Sequence, residues 1–363
     1  DAKEWEDNLK KLSAIFNVHK NIINSGCRLN VVSFEDYSVS NEGTMIRRPQ
    51  AFVSFTAYGT SFGSDGSSFS SEYSITAKTP EELPSLEELQ SQVKILIDKI
   101  ARQESAEAFE KSYTGPVLFM GNAVNDLIGQ CFGSTIQVGR KSVLSAYASG
   151  TNYEDKLGQK LISSDLTLTA VPSLKTFKGK SATGYFPIDY EGVVPPDSLV
   201  LIEKGILKTL LNGRTPSKHY PKSQGFAQSF MGRQYHAGVL KLSSGKTSAA
   251  DSMKIRLLKL AKEEGLPEAY IIKDLSREPE IYRIDAQTGE IRMVKECKVL
   301  PLNIRSLRRF VVASADMRLE NKAAFSVLAP ESLILNEVEI EKNERTSKPK
   351  PIIVSNPLLD KDV

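Results

Sequence analysis

Tyr113-Thr114-Gly115-Pro116-Val117-Leu118-Phe119 is where the pattern of the chain turns over. Gly-Pro punctuates a run of apolar residues: proline fixes its own φ, and glycine reaches conformations that other residues avoid. Upstream, helix and strand signals are mixed. Trp5, Leu9, Leu12 and Phe16 recur at helical spacing, and strand candidates follow at Leu29 to Phe34, Tyr37 to Val39 and Ala51 to Tyr58. Thr60 to Ser71 is rich in Gly and Ser and reads as a loop, with Gly63-Ser64-Asp65-Gly66 as a turn. Leu86, Leu89, Val93, Leu96, Ile97 and Ile100 then mark a long helix, entered just after Pro84.

Downstream, one further helix carries Ala123, Val124, Leu127, Ile128, Cys131 and Phe132 on one face. From Leu166 strands dominate. One hairpin joins Leu199–Glu203 to Ile206–Leu211, and a second joins Ile281–Asp285 to Ile291–Val294. Between them lies a helix with Met253, Leu257, Leu260 and Ala261, stopped by Gly265; Leu333 to Ile340 alternates as a late strand. The reading is an α+β chain: a small, partial α/β layer over 1–112, then a larger β-rich domain over 113–363. Its Pro/Lys-rich tail, 342–363, is expected to run as a surface strap.

Composition excludes several classes. Of 363 residues, 40% are hydrophobic and 25% charged, ordinary values for a globular protein. No apolar run approaches the roughly 18–20 residues that cross a bilayer. The net charge of +3 is spread along the chain, without the clustered basic face of a nucleic-acid binder. Cys27, Cys131 and Cys297 are odd in number and far apart, so they imply free thiols. The chain starts at Asp1; this leaves export open, while the balance of features leans to the cytoplasm.

Local motifs for chemistry are scarce. His19, His219 and His236 have no partner at zinc-ligand spacing. Neither a nucleophile elbow nor a phosphate-cradling glycine loop occurs. Asp189 and Glu191, in Phe186-Pro187-Ile188-Asp189-Tyr190-Glu191-Gly192-Val193, alternate as on a strand entering a turn. Two carboxylates so placed can share acid and base work, and solvated turn acids are the simpler account. Arg305, Arg308 and Arg309 could touch phosphate, or form a charged face.

Several ordered stretches resemble the TldD/PmbA family, known as modulators of DNA gyrase and related to metallopeptidases. They are Tyr113 to Phe119, Leu157-Gly158-Gln159-Lys160, Leu166-Thr167-Leu168, Phe186 to Val193, Leu201 to Leu207 and Lys222-Ser223-Gln224-Gly225, with Ser40-Asn41-Glu42-Gly43-Thr44 upstream. The resemblance implies a second domain that is antiparallel, barrel- or sandwich-like, and built around a cleft. In the TldD branch a helix after the Gly-Pro stretch carries His-Glu-x-x-x-His, which holds zinc with a late cysteine. Here the matching residues read Gly121-Asn122-Ala123-Val124-Asn125-Asp126. Gly121 and Asp126 replace both histidines, Asn122 replaces the glutamate, and Ser326-Val327-Leu328-Ala329-Pro330 offers no cysteine. Cys297 lies too early to substitute.

The resemblance therefore implies a PmbA-like chain without a metal or cofactor of its own, with zinc only in a partner subunit. It would act as a non-catalytic partner or peptide-binding subunit in proteolysis or peptide maturation. It would form a homodimer, or a heterodimer with a zinc-bearing TldD-like chain. Two alternatives stay open: a hydrolase using Asp189, Glu191 or Asp126 in a non-standard site, and a gyrase modulator that contacts nucleic acid.

Overall fold

The computed structural model describes residues 2–19, 21–63, 67–133, 135–138, 153–230, 233–276 and 278–343. Helix α1 (Ala2–Ala14) leads into two 18-residue strands, β1 (Ile22–Val39) and β2 (Met45–Phe62), followed by β3 (Ser68–Ala77). The three form an antiparallel sheet in the order β1-β2-β3. Helix α2 (Leu86–Ser105) packs on it, and Leu12, Phe16, Val53, Phe55, Leu89, Val93, Ile97 and Ile100 make one buried cluster.

Two expectations change here. The separate candidates at Leu29–Phe34 and Tyr37–Val39 are parts of the single strand β1. The Gly/Ser tract expected as a loop is mostly ladder, with Thr60 opposite Ser70 and Phe62 opposite Ser68. Small hydroxylated residues serve as strand residues because they pair across it: Thr60 Oγ1 lies 2.9 Å from Ser70 Oγ. Phe69 supplies a buried contact. Residues 64–66 of the expected turn lie outside the described residues, as does the tail from 344.

The second core cluster begins at Phe109 and continues through the rest of the chain. Strand β4 (Tyr113–Met120) is followed at once by α3 (Asn122–Phe132). Then come β5 (Leu166–Ala170), β6 (Leu199–Glu203), β7 (Ile206–Leu207) and β8 (Val239–Ser244). Helix α4 (Met253–Glu263) precedes β9 (Glu268–Asp274), β10 (Glu280–Asp285) and β11 (Ile291–Lys295). The series closes with β12 (Phe310–Ser314), β13 (Met317–Lys322), β14 (Phe325–Pro330) and β15 (Ser332–Lys342).

These strands form two mixed, mainly antiparallel sheets. One runs β7-β6-β5-β8-β14-β13; the other contains β12-β15-β4-β9-β10-β11 with short strands at its margins. Parallel pairings occur between β8 and β14 and between β4 and β9. Val117 and Phe119 from one sheet and Leu166 and Leu168 from the other share a core with Ala123, Leu127 and Phe132 of α3. The next residue of β4, Leu118, points to the opposite face and packs with Met253, Leu257 and Ala261 of α4. The alternation of a strand thus supplies both layers, which explains the continuous apolar run Val117-Leu118-Phe119. No described helix is long and apolar enough to cross a membrane.

Candidate functional site

The β4–α3 junction sets the site. Gly121 lies at φ +58° and ψ −121°, a combination open to glycine and strained for any residue with a Cβ. The backbone turns there and starts α3 with no side-chain cap. Asn122, Asn125 and Asp126 follow at positions that share one helical face. They line a cleft of 520 Å³ with Glu72, Ser74 and Thr76 from β3, Asp274 at the end of β9 and Ser276 beyond it, and Glu320, Asn321 and Lys322 from β13. The cleft therefore lies between the N-terminal layer and the β-rich domain.

Three of its polar groups, Asp126, Asn122 and Glu320, are engaged by cations from β13. Lys322 Nζ donates to Asp126 Oδ1 at 3.1 Å, and the Leu275 backbone N–H donates to Oδ2 at 3.3 Å. Arg318 Nη2 donates to Asn122 Oδ1 at 3.2 Å and to Glu320 Oε2 at 2.9 Å. Asn321 is bonded at both ends: its Oδ1 accepts from Thr183 N and Ser326 Oγ, and its Nδ2 donates to the Ser181 carbonyl. Period-two charges at Arg318, Glu320 and Lys322 are the signal that could have exposed this face in the sequence.

The other candidates lie elsewhere. Asp189 is fully buried; Oδ1 accepts from Glu191 N at 2.9 Å and Val193 N at 2.8 Å, and Oδ2 from Ala227 N at 3.0 Å. Burial pushes its carboxyl up, and the three amides pull it back in part. Glu191 accepts from the Arg214 backbone N–H and lines a different pocket with Ser40, Thr44 and Tyr190. Arg214 also pairs with Glu42, so the Ser40–Thr44 turn is tied to the β-rich domain. Arg308 donates to the carbonyls of Leu161 and Lys160, and Arg309 pairs with Glu337.

His236 is buried edge-on against Phe186 and Phe325, with Nδ1 accepting from Gly238 N at 3.1 Å. Cys131 and Cys297 are buried, and Cys27 is half-buried. Desolvation pushes the Cys131 thiol up to about 12. Among the described residues, no three His, Cys, Asp or Glu side chains gather as a metal set. The donors at the β4–α3 junction do not suit zinc. They are a glycine, a carboxamide and a carboxylate already held by an ammonium and an amide, whereas zinc takes three or four imidazole, thiolate or free carboxylate ligands.

Residues 112–295, just over half of the chain, match the family model of the PmbA/TldA metallopeptidase C-terminal domain. Three solved structures share the fold. A candidate modulator of DNA gyrase from Thermotoga maritima aligns at TM-score 0.68 and 18% identity, over 94% of this chain and 74% of its own. A second such candidate, from Bacteroides thetaiotaomicron, gives TM-score 0.63 and 15% identity over 94% and 72%. TldE from Thermococcus kodakarensis gives 0.64 and 14% over 92% and 74%. No curated protein matches the chain.

Proposed function

The chain belongs to the PmbA/TldD family of metallopeptidase-related proteins, and from that premise we propose that it is a member without metal: a peptide-binding subunit that works beside a zinc-bearing relative and does not hydrolyse peptides itself. The observation that carries the reading is the engagement of Asp126. An ammonium supplies, from inside the chain, the positive charge that Asp126 would otherwise seek from an ion. To bind zinc, Asp126 would have to release Lys322, and Asn122 would contribute only a weakly donating carboxamide. By the resemblance, Asn122 stands where the family carries its catalytic glutamate, and a carboxamide does not serve as a general base. The remaining polar lining and the volume of the cleft support retention of a peptide. The three backbone amides on Asp189 argue against that carboxylate as an alternative base.

Elemental analysis of the purified chain after incubation with zinc and exhaustive dialysis tests the absence of a site. The expected result is far less than one zinc per chain. One tightly held zinc that disappears in Asp126→Ala would overturn the proposal. Co-elution with a zinc-bearing family member, and peptidase activity only in the mixture, is the expected result for the partner role.

A further inference from the structure

Two polar side chains of the cleft are not used by the fold. Asn125 is 4% exposed and Thr76 8% exposed, and both line the cleft, from α3 and from β3. Among the described residues, neither side chain has a hydrogen-bond partner, although Asn321, Arg318 and Lys322 around them are all bonded. The polar atoms of Asn125 and Thr76 are not among the sealed, unpartnered ones, so they open onto the cleft, where water or a ligand can bond them. A carboxamide offers two donors and an acceptor, and a hydroxyl offers both roles. Together they complement the N–H and C=O of an extended peptide group.

Charge narrows the ligand further. The carboxylates of Glu72, Asp126, Asp274 and Glu320 line the cleft against the single ammonium of Lys322. Arg318 from outside the lining pairs with Glu320, while Lys99 stands 3.9 Å from Asp274 and closer to Glu280, at 2.9 Å. Glu72, exposed on β3, has no cationic partner among the described residues. The unpaired carboxylate of Glu72 thus leaves a negative potential at that edge of the cleft.

We infer that the cleft selects peptides with a lysine or arginine side chain: Asn125 and Thr76 hold a backbone amide of the peptide, and Glu72 faces its cation. This rests on the peptide-binding reading above and deepens it. The test uses fluorescence anisotropy of the full chain with three labelled hexapeptides that share an alanine–glycine frame and carry lysines, serines or glutamates. The lysine peptide is expected to bind about tenfold more tightly than the glutamate peptide at low salt, and to lose most of that advantage at high salt. Glu72→Gln, at an exposed position that leaves folding intact, should cut the lysine preference several-fold and leave the serine peptide unchanged. Asn125→Ala should weaken all three peptides. Binding of all three with equal affinity, or a lysine preference untouched by Glu72→Gln, would overturn the charge selection and leave the peptide-binding reading standing. If no hexapeptide binds, both are overturned.

Discussion

At the scale of single residues, Asp189 and Asp126 are carboxylates with different tasks. Asp189 closes a turn: its two oxygens collect the N–H groups of Glu191, Val193 and Ala227 in a site without exposed surface. Asp189→Ala leaves these amides without an acceptor, and a loss of roughly 2–3 kcal/mol is expected from chemical denaturation. Its folded carboxyl lies above the ordinary aspartate value of 3.8, so ionisation costs the fold. That penalty is absent below the unfolded value and complete above the folded one. Asp126 instead meets Lys322 at a cleft, with a quarter of its side chain exposed (25%). Both residues were visible in the sequence as candidates. Their partners were not, because backbone amides and a lysine nearly two hundred positions away are joined only by folding.

At the scale of elements, α2 shows how far local sequence reaches. Ser85 and Glu88 form a reciprocal capping box: Ser85 Oγ accepts from Glu88 N at 3.3 Å, and Ser85 N donates to Glu88 Oε2 at 2.8 Å. Glu87 and Glu88 also favour the positive end of the helix, and Arg102 favours the other. Ser85→Ala is expected to cost about 1 kcal/mol in thermal or denaturant melts. The helix was legible from its apolar spacing and from Pro84, since every signal lies within its own length. Strand β3 was not, because its pairing with β2 is carried by serines and a threonine that also suit loops. Helix α3 was legible as a helix, yet its entrance at Gly121 depends on a backbone angle set by its attachment to β4.

At the scale of the whole molecule, polar ties join the parts of the chain that carry the two apolar clusters. Lys99 of α2 reaches Glu280 at 2.9 Å and Asp274 at 3.9 Å, with all three side chains under one-fifth exposed. Lys99→Met leaves two carboxylates side by side without their cation, and should destabilise the junction by roughly 2 kcal/mol. Trp5, the single tryptophan, packs against the N-terminal cluster, so its fluorescence should report an earlier transition of that layer in urea. Sequence alone determined the α+β class, the helices with clear periodicity and the hairpins, because each depends on residue identity or on neighbours along the chain. Tertiary structure alone decided that β3, α3 and β13 line one cleft, that Lys322 and Arg318 engage Asp126 and Asn122, and that Asn125 and Thr76 have no side-chain hydrogen-bond partner among the described residues. These facts depend on which distant side chains fold to within about 3 Å of one another, a distance that no local pattern encodes.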